Sequence, residues 1–248
     1  MCTLVVLRRP DHPWPVLLAA NRDEMIARPW RAPGRHWPDR PEVVAGLDEL
    51  AGGSWLGMND HGVVAAVLNR RNSLGPDAEK RSRGELVLEA LEHADALEAA
   101  QALSDLDGRA YRGFNMALLD NRDAYWLRGT GERIVGVLPL PEGISMLTAY
   151  DLNAKDSPRA QRFLPRFAEA PAPDPETEDW RAWEELLAET DYDPEAGPQG
   201  AMNVSTDFGF GTVSSSLIAL PEIGSPHRPM FRFAAGRPNT VPYQDVRR

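Results

Sequence analysis

Met1-Cys2-Thr3-Leu4-Val5-Val6-Leu7-Arg8 opens the chain, and Val16-Leu17-Leu18-Ala19-Ala20-Asn21-Arg22-Asp23-Glu24 follows across a short Pro-containing segment, Arg9–Pro15. Thr3–Arg8 is apolar and β-branched and Val16–Ala20 is apolar, so the two read as strands joined by a turn. In an antiparallel hairpin the end of the second strand returns to the start of the first. The polar run Asn21-Arg22-Asp23-Glu24, at the end of the second strand, is therefore expected beside Cys2.

Position 2 gives that arrangement a chemistry. A methionine followed by a small side chain is normally trimmed, so the mature chain is expected to begin at Cys2. Thiol and α-amine then sit on one residue, and an amine of pKa about 7.7–8 can accept the thiol proton. Nucleophile and base would come from the same residue. A carboxylate at Asp23 could hold the amine. Arg22 could favour the thiolate, placing its pKa below the ordinary value, or bind an anionic substrate. The alternatives are an incidental thiol at a strand start and a solvated polar turn. Asn121-Arg122-Asp123 repeats the tripeptide between two later strands, where it reads as a hairpin turn.

Two more segments stand out. Ala51-Gly52-Gly53-Ser54-Trp55-Leu56-Gly57 places two glycines before a strand, where positive φ or a close backbone approach is expected. Val63–Asn69 is a strand of small apolar residues ending in an amide, which could donate to an oxyanion or serve as a turn former. Around them, Val43–Leu47 and Ser54–Met58 read as strands and Arg28–Pro41 as an irregular loop. Ser82-Arg83-Gly84-Glu85 has the form of a capping box, and leucines and alanines at near-helical spacing continue one long helix to about Leu106. Phe114–Leu119, Tyr125–Leu127, Ile134–Val137 and Ser145–Ala149 read as strands, as do Thr212–Leu220 and Pro229–Ala234. Ser157–Ala168 and Glu178–Glu189 read as amphipathic helices around a Pro/Ala linker. The order predicts an α+β fold, antiparallel sheets with helices outside, in a single domain spanning 1–248.

Composition narrows the partners. The 248 residues carry a net charge of −10, which disfavours nucleic acid and anionic membranes. No apolar run approaches the roughly 18 residues of a membrane span, and the N-terminus lacks the form of a signal peptide, so a cytoplasmic location is expected. The single cysteine allows no internal disulfide. The five scattered histidines suggest neither a metal site nor a Ser-His-Asp triad, and no cofactor is expected.

Taken together, Met1-Cys2-Thr3-Leu4, Leu18–Glu24, Arg28-Pro29, Gly52–Gly57, Asn69, Ser82-Arg83-Gly84 and Gly211-Thr212 resemble the NRDE-motif family, related to the transport and Golgi organisation protein 2 group. That family in turn resembles cysteine N-terminal-nucleophile hydrolases of the choloylglycine hydrolase and penicillin V acylase type. The resemblance implies a four-layer αββα sandwich with two antiparallel sheets, and hydrolysis or transfer of an acyl group on a linear amide or thioester. It implies Cys2 as nucleophile, Asp23 holding the α-amine, Asn69 as oxyanion donor and Arg22 near the thiol, with Asn21, Glu24, Gly53 and Trp55 supporting the site or binding substrate. The hydrolases place an asparagine after a strand ending Leu-Thr, where this chain has Ala149, with Asp151 and Asn153 nearby. Family members often carry arginine after the late Gly-Thr, where this chain has Val213. The partner implied is a small acyl substrate. The second reading is a non-catalytic protein that binds and traffics a hydrophobic ligand, haem or an acyl-coenzyme A or lipid.

Overall fold

The structure is a computed structural model, and it describes residues 2–75 and 77–247. The expected removal of Met1 concerns a residue outside that set. In chain order the elements are β1 (Thr3–Arg8), β2 (Val16–Met25), β3 (Trp30–Gly34), β4 (Val43–Asp48), β5 (Leu56–Asn59) and β6 (Val64–Asn69). Then come α1 (Gly84–Ala90), α2 (Ala96–Ser104), β7 (Phe114–Leu119), β8 (Ala124–Gly129), β9 (Gly136–Pro139) and β10 (Gly143–Leu147). Last are α3 (Pro158–Glu169), α4 (Arg181–Ala188), β11 (Phe210–Leu220), β12 (Met230–Ala234) and β13 (Gln244–Asp245).

The chain divides into two compact units. The first comprises residues 2–28 and 141–246. Its antiparallel strands run in the order β10-β1-β2-β11-β12-β13. Val5, Leu17, Ala19, Met146, Leu217 and Ala219 line one face, packed against Phe163 and Phe167 of α3 and Trp183 and Leu187 of α4. Phe167 meets Trp183 edge to face at 5.4 Å. Ser157 caps α3 by accepting from the Ala160 N–H, as the Ser-Pro start signals.

The second unit, residues 29–140, has the order β3-β4-β5-β6-β7-β8-β9, again antiparallel. Its core joins Ala65, Met116, Leu118 and Leu127 of the sheet to Leu86, Val87, Ala99 and Leu103 of α1 and α2. Each unit is thus a sheet carrying helices on one face, the α+β pattern expected.

Four local expectations need correction. The long helix over residues 82–106 is two helices, broken at residues 91–95. Asp95 caps α2 by accepting from Glu98, while the buried Asp120 carboxylate takes the Ala96 N–H at 2.9 Å. Asn59 holds the carbonyls of Leu91 and His93, which a continuous helix would have used internally. Ser82 does not cap α1; its hydroxyl accepts from Gly84, and the N-cap is Arg83. Within the loop expected over Arg28–Pro41 lies β3, an edge strand whose pairing breaks between Arg31 and Gly34, around Pro33.

The fourth correction bears on the site. β2 does not stop at Ala20 but runs through Asn21-Arg22-Asp23-Glu24 to Met25. What sustains it is β11, whose Phe210–Leu220 ladder pairs every one of those residues. The tripeptide at 121–123 is the turn expected: Asp120 accepts from the N–H groups of Arg122 and Asp123 between β7 and β8.

Candidate active site

Strand alternation sorts the NRDE residues. Thr3 pairs with Asn21, so Cys2 stands opposite Arg22 at the open end of the hairpin. Asn21 and Asp23 share the helix-covered face with Thr3. Arg22, buried, shares the other face with Cys2. On the far side of β2, Asp23 pairs with Thr212 and Arg22 with Ser214, although these partners are two residues apart. Val213 is the extra residue of a β-bulge. Without it Thr212 would face the Arg22 side; with it the Thr212 hydroxyl meets Asp23. The position where arginine was expected is therefore the bulge that aims a threonine.

Asp23 is fully enclosed. Thr212 donates to its Oδ1 at 2.6 Å while accepting from the Val204 N–H at 2.8 Å. Its Oδ2 takes an N–H of Arg159 at 2.9 Å, and the two side chains are 0% and 4% exposed. Arg159 also donates to the Thr3 hydroxyl and to the Gln199 carbonyl. Carboxylate and guanidinium are thus paired and hydrogen-bonded, the condition under which a buried charge is tolerated.

Arg159 was not foreseen. It lies in the first turn of α3, where the helix dipole disfavours a cation, and that misfit was the available signal of an acidic partner elsewhere.

Cys2 is part-buried, and its thiol donates to the main-chain carbonyl of Asp23 at 3.7 Å. Burial first, and then the Asp23 carboxylate, push the thiol pKa up, while the Asp23 carbonyl bond and the Arg22 charge pull the other way. The depressed pKa expected from Arg22 is therefore reversed, because desolvation outweighs the arginine.

The structure brings Cys2, Arg22 and Asp23 together within the first unit. Asn21 is a scaffold residue there: its amide donates to the carbonyls of Leu187 and Met202, and Ser215 donates to its oxygen. Glu24 is part-exposed, 3.9 Å from Arg28. Ala149 is buried, and Asn153 is engaged with the main chain of β10, exchanging bonds with Met146.

The remaining expected residues belong to the second unit. Asn69 closes β6 opposite Phe114. Gly52 has φ 71°, and a Cβ on Gly53 would lie 2.5 Å from the Gly84 carbonyl carbon, so both glycine expectations hold. Trp55 packs edge-on to Trp30 at 5.9 Å and covers Gly46.

A family model described as Transport and Golgi organisation 2 matches residues 1–218. This chain belongs to that family. The Transport and Golgi organization protein 2 homolog of Homo sapiens is 38% identical over 111 residues, 42% of this chain and 38% of that protein. Its Bos taurus counterpart is 40% identical over 110 residues, with the same coverage. The chain thus spans 38% of the length of the curated relatives it matches.

Solved structures extend the comparison across the chain. The Caenorhabditis elegans ortholog of N-acylethanolamine-hydrolyzing acid amidase superposes with a TM-score of 0.59 at 14% identity, covering 99% of this chain and 100% of that one. Penicillin V acylase from Agrobacterium tumefaciens gives 0.55 at 15%, covering 95% and 83%. The C2A mutant of the conjugated bile acid hydrolase from Clostridium perfringens gives 0.52 at 12%, covering 100% and 97%. At these identities the likeness establishes the fold alone, an α+β fold with two antiparallel sheets. Among the described residues, no helix is long and apolar enough to cross a membrane.

Proposed function

We propose that this family member is an N-terminal cysteine hydrolase or acyltransferase acting on a small acyl amide or thioester, with residues 1–248 serving as one domain. The observation that carries the reading is the convergence of the Cys2 thiol, Arg22 and the enclosed Asp23 at one end of the β1–β2 hairpin. The fold shared with penicillin V acylase and an acid amidase supports it.

In the proposed cycle, hydrolysis of the Met1–Cys2 peptide bond frees the Cys2 amine. As sulphur attacks the acyl carbon, its proton passes to the amine, and the Asp23 carboxylate favours the resulting ammonium. The tetrahedral oxyanion collapses, the ammonium protonates the leaving amine or thiol, and a thioester to Cys2 remains. Water or an acceptor amine then attacks, giving its proton to the Cys2 amine, and the thiol is restored. Asn69 is assigned as oxyanion donor by its motif alone.

The second reading, binding and trafficking of a hydrophobic ligand on the same fold, is favoured by the raised thiol and by Ala149 and Val213. Kinetics separate the two. With a panel of N-acyl amides and thioesters, Cys2→Ala should remove turnover through kcat while leaving substrate affinity nearly intact. Absence of turnover across the panel, with ligand affinity altered by Cys2→Ala, would favour the carrier.

A further inference from the structure

In the proposed cycle the Cys2 amine takes the thiol proton and returns it to the leaving group, with Asp23 favouring the ammonium. A carboxylate beside an amine raises the pKa of that amine. Held too strongly, the amine stays protonated near neutrality and cannot act as base. A general acid–base group works best with a pKa near the operating pH, so the pull of Asp23 has to be limited.

Arg159 has the geometry to limit it. Its guanidinium lies 2.9 Å from Asp23 Oδ2, and both side chains are buried, where a full charge acts strongly. The pair is fixed from several sides. Arg159 also donates to the Thr3 hydroxyl and, at 2.8 Å, to the Gln199 carbonyl. Asp23 Oδ1 accepts from Thr212 at 2.6 Å. The segment 199–204 braces the arrangement: the Gln199 carbonyl takes Arg159, the Met202 carbonyl takes Asn21, and the Val204 N–H donates to Thr212. Stability alone does not account for the pair. A buried ion pair gains little over apolar side chains of similar volume, and Arg159 stands in the first turn of α3, against the helix dipole.

Other ionisable groups of this unit are placed differently. Arg22 stands opposite Cys2, on the face of β2 turned from Asp23, and Glu24 lies 3.9 Å from Arg28. On β1 the ionisable side chain is Arg8, at the far end, and β11 carries none over Phe210–Leu220. On α3, Arg162 and Arg166 pair with Glu189.

We propose, resting on the N-terminal cysteine chemistry proposed above, that Arg159 is a positioning residue: by setting its charge against Asp23 it keeps a neutral Cys2 amine available near physiological pH. Removing that charge leaves Asp23 to hold the ammonium more tightly, so the amine pKa rises.

Nitrogen-15 cysteine labels one nitrogen, because the chain has a single cysteine, and once Met1 is removed that nitrogen is the α-amine. Its chemical shift, followed against pH in the full chain, gives the amine pKa without any turnover. In the wild type a value at or below about 8, the ordinary one, is expected despite the neighbouring carboxylate. Arg159→Gln should raise it by about one unit or more, the scale of a charge at close range. Arg159→Lys, which keeps the charge, should return it towards wild type. Asp23→Asn with Arg159→Gln, which removes both charges, should bring it below Arg159→Gln alone. Arg162→Gln, on the same helix, should leave it unmoved. Thermal midpoints certify the fold of each variant. A wild-type pKa well above 8 overturns the proposal even if Arg159→Gln does not fold. An unmoved value in folded Arg159→Gln, or an equal rise in Arg162→Gln, overturns it too. A mature chain that retains Met1 overturns the cysteine chemistry and the role of Arg159 together, whereas a free amine that ignores Arg159 overturns the role of Arg159 alone.

Discussion

Replacing Arg159 by methionine should destabilise the protein far more than any loss of a surface ion pair, because it removes a guanidinium partner of the buried Asp23 carboxylate. That side chain has no solvent exposure, and Arg159 supplies the guanidinium paired with it while Thr212 donates a hydroxyl. Removing one partner of a buried pair costs about 3–5 kcal/mol. For a chain of this size that is a fall in Tm of about 6–20 °C. Arg162, three residues along α3, gives the internal control. It pairs with Glu189 at 2.8 Å, with side chains 36% and 19% exposed, and Arg166 holds the same carboxylate. Arg162→Met should cost at most about 1 kcal/mol. Adding Asp23→Leu to Arg159→Met removes both charges, so the double variant should lose less than the sum of the single losses. Urea unfolding of the wild type, Arg159→Met, Arg162→Met, Asp23→Leu and the double variant measures all terms. An Arg159→Met loss within about 1 kcal/mol of the Arg162→Met loss, or strictly additive singles, would refute the buried-pair account.

Three further outcomes follow from the geometry. In protein that retains Met1, the pH dependence of Cys2 alkylation by iodoacetamide should inflect above the ordinary thiol value of about 8.5, since the raised pKa moves thiolate formation to higher pH; Asp23→Asn should lower the inflection and Arg22→Gln raise it, and an inflection of that form at or below 8.5 would contradict this. Asp23→Ala should abolish turnover, whereas Asp123→Ala, whose main-chain carbonyl rather than carboxylate serves the hairpin turn, should leave activity intact and stability within about 0.5 kcal/mol; equal effects would remove the distinction between the two tripeptides. Gly53→Ala should cost about 1–3 kcal/mol on denaturant unfolding, because the new Cβ would press to 2.5 Å on the Gly84 backbone, and a neutral result would show that the segment yields.

The hairpin of β1 and β2 was legible because its signals are local: two apolar runs, a turn, and the arithmetic that returns Asn21 to Thr3. The glycine pair and the turn at 121–123 were legible for the same reason. The extension of β2 through Asp23 was not, since the strand that sustains it lies almost two hundred residues further on, and a polar run without a visible ladder partner resembles a turn. The break in the helix over 82–106 hid similarly, because Asp95 competes as a cap only with Asn59 and Asp120 in place. At the site, Cys2 and Asp23 could be brought together by counting residues. Arg159 could not, because its partner comes from another element. The upward push on the Cys2 thiol was not legible, because it comes from burial, which a sequence does not display, and burial outweighs the arginine beside it.

The proposed chemistry requires Cys2 to be both the first residue and the acyl acceptor. Intact-mass spectrometry of the purified protein, before and after brief incubation with a substrate drawn from the N-acyl amide and thioester panel, addresses both. A chain lighter by one methionine residue is expected, gaining the mass of the acyl group at Cys2, with no gain in Cys2→Ala. Turnover by a chain that retains Met1, or an unmodified Cys2 during turnover, would contradict it.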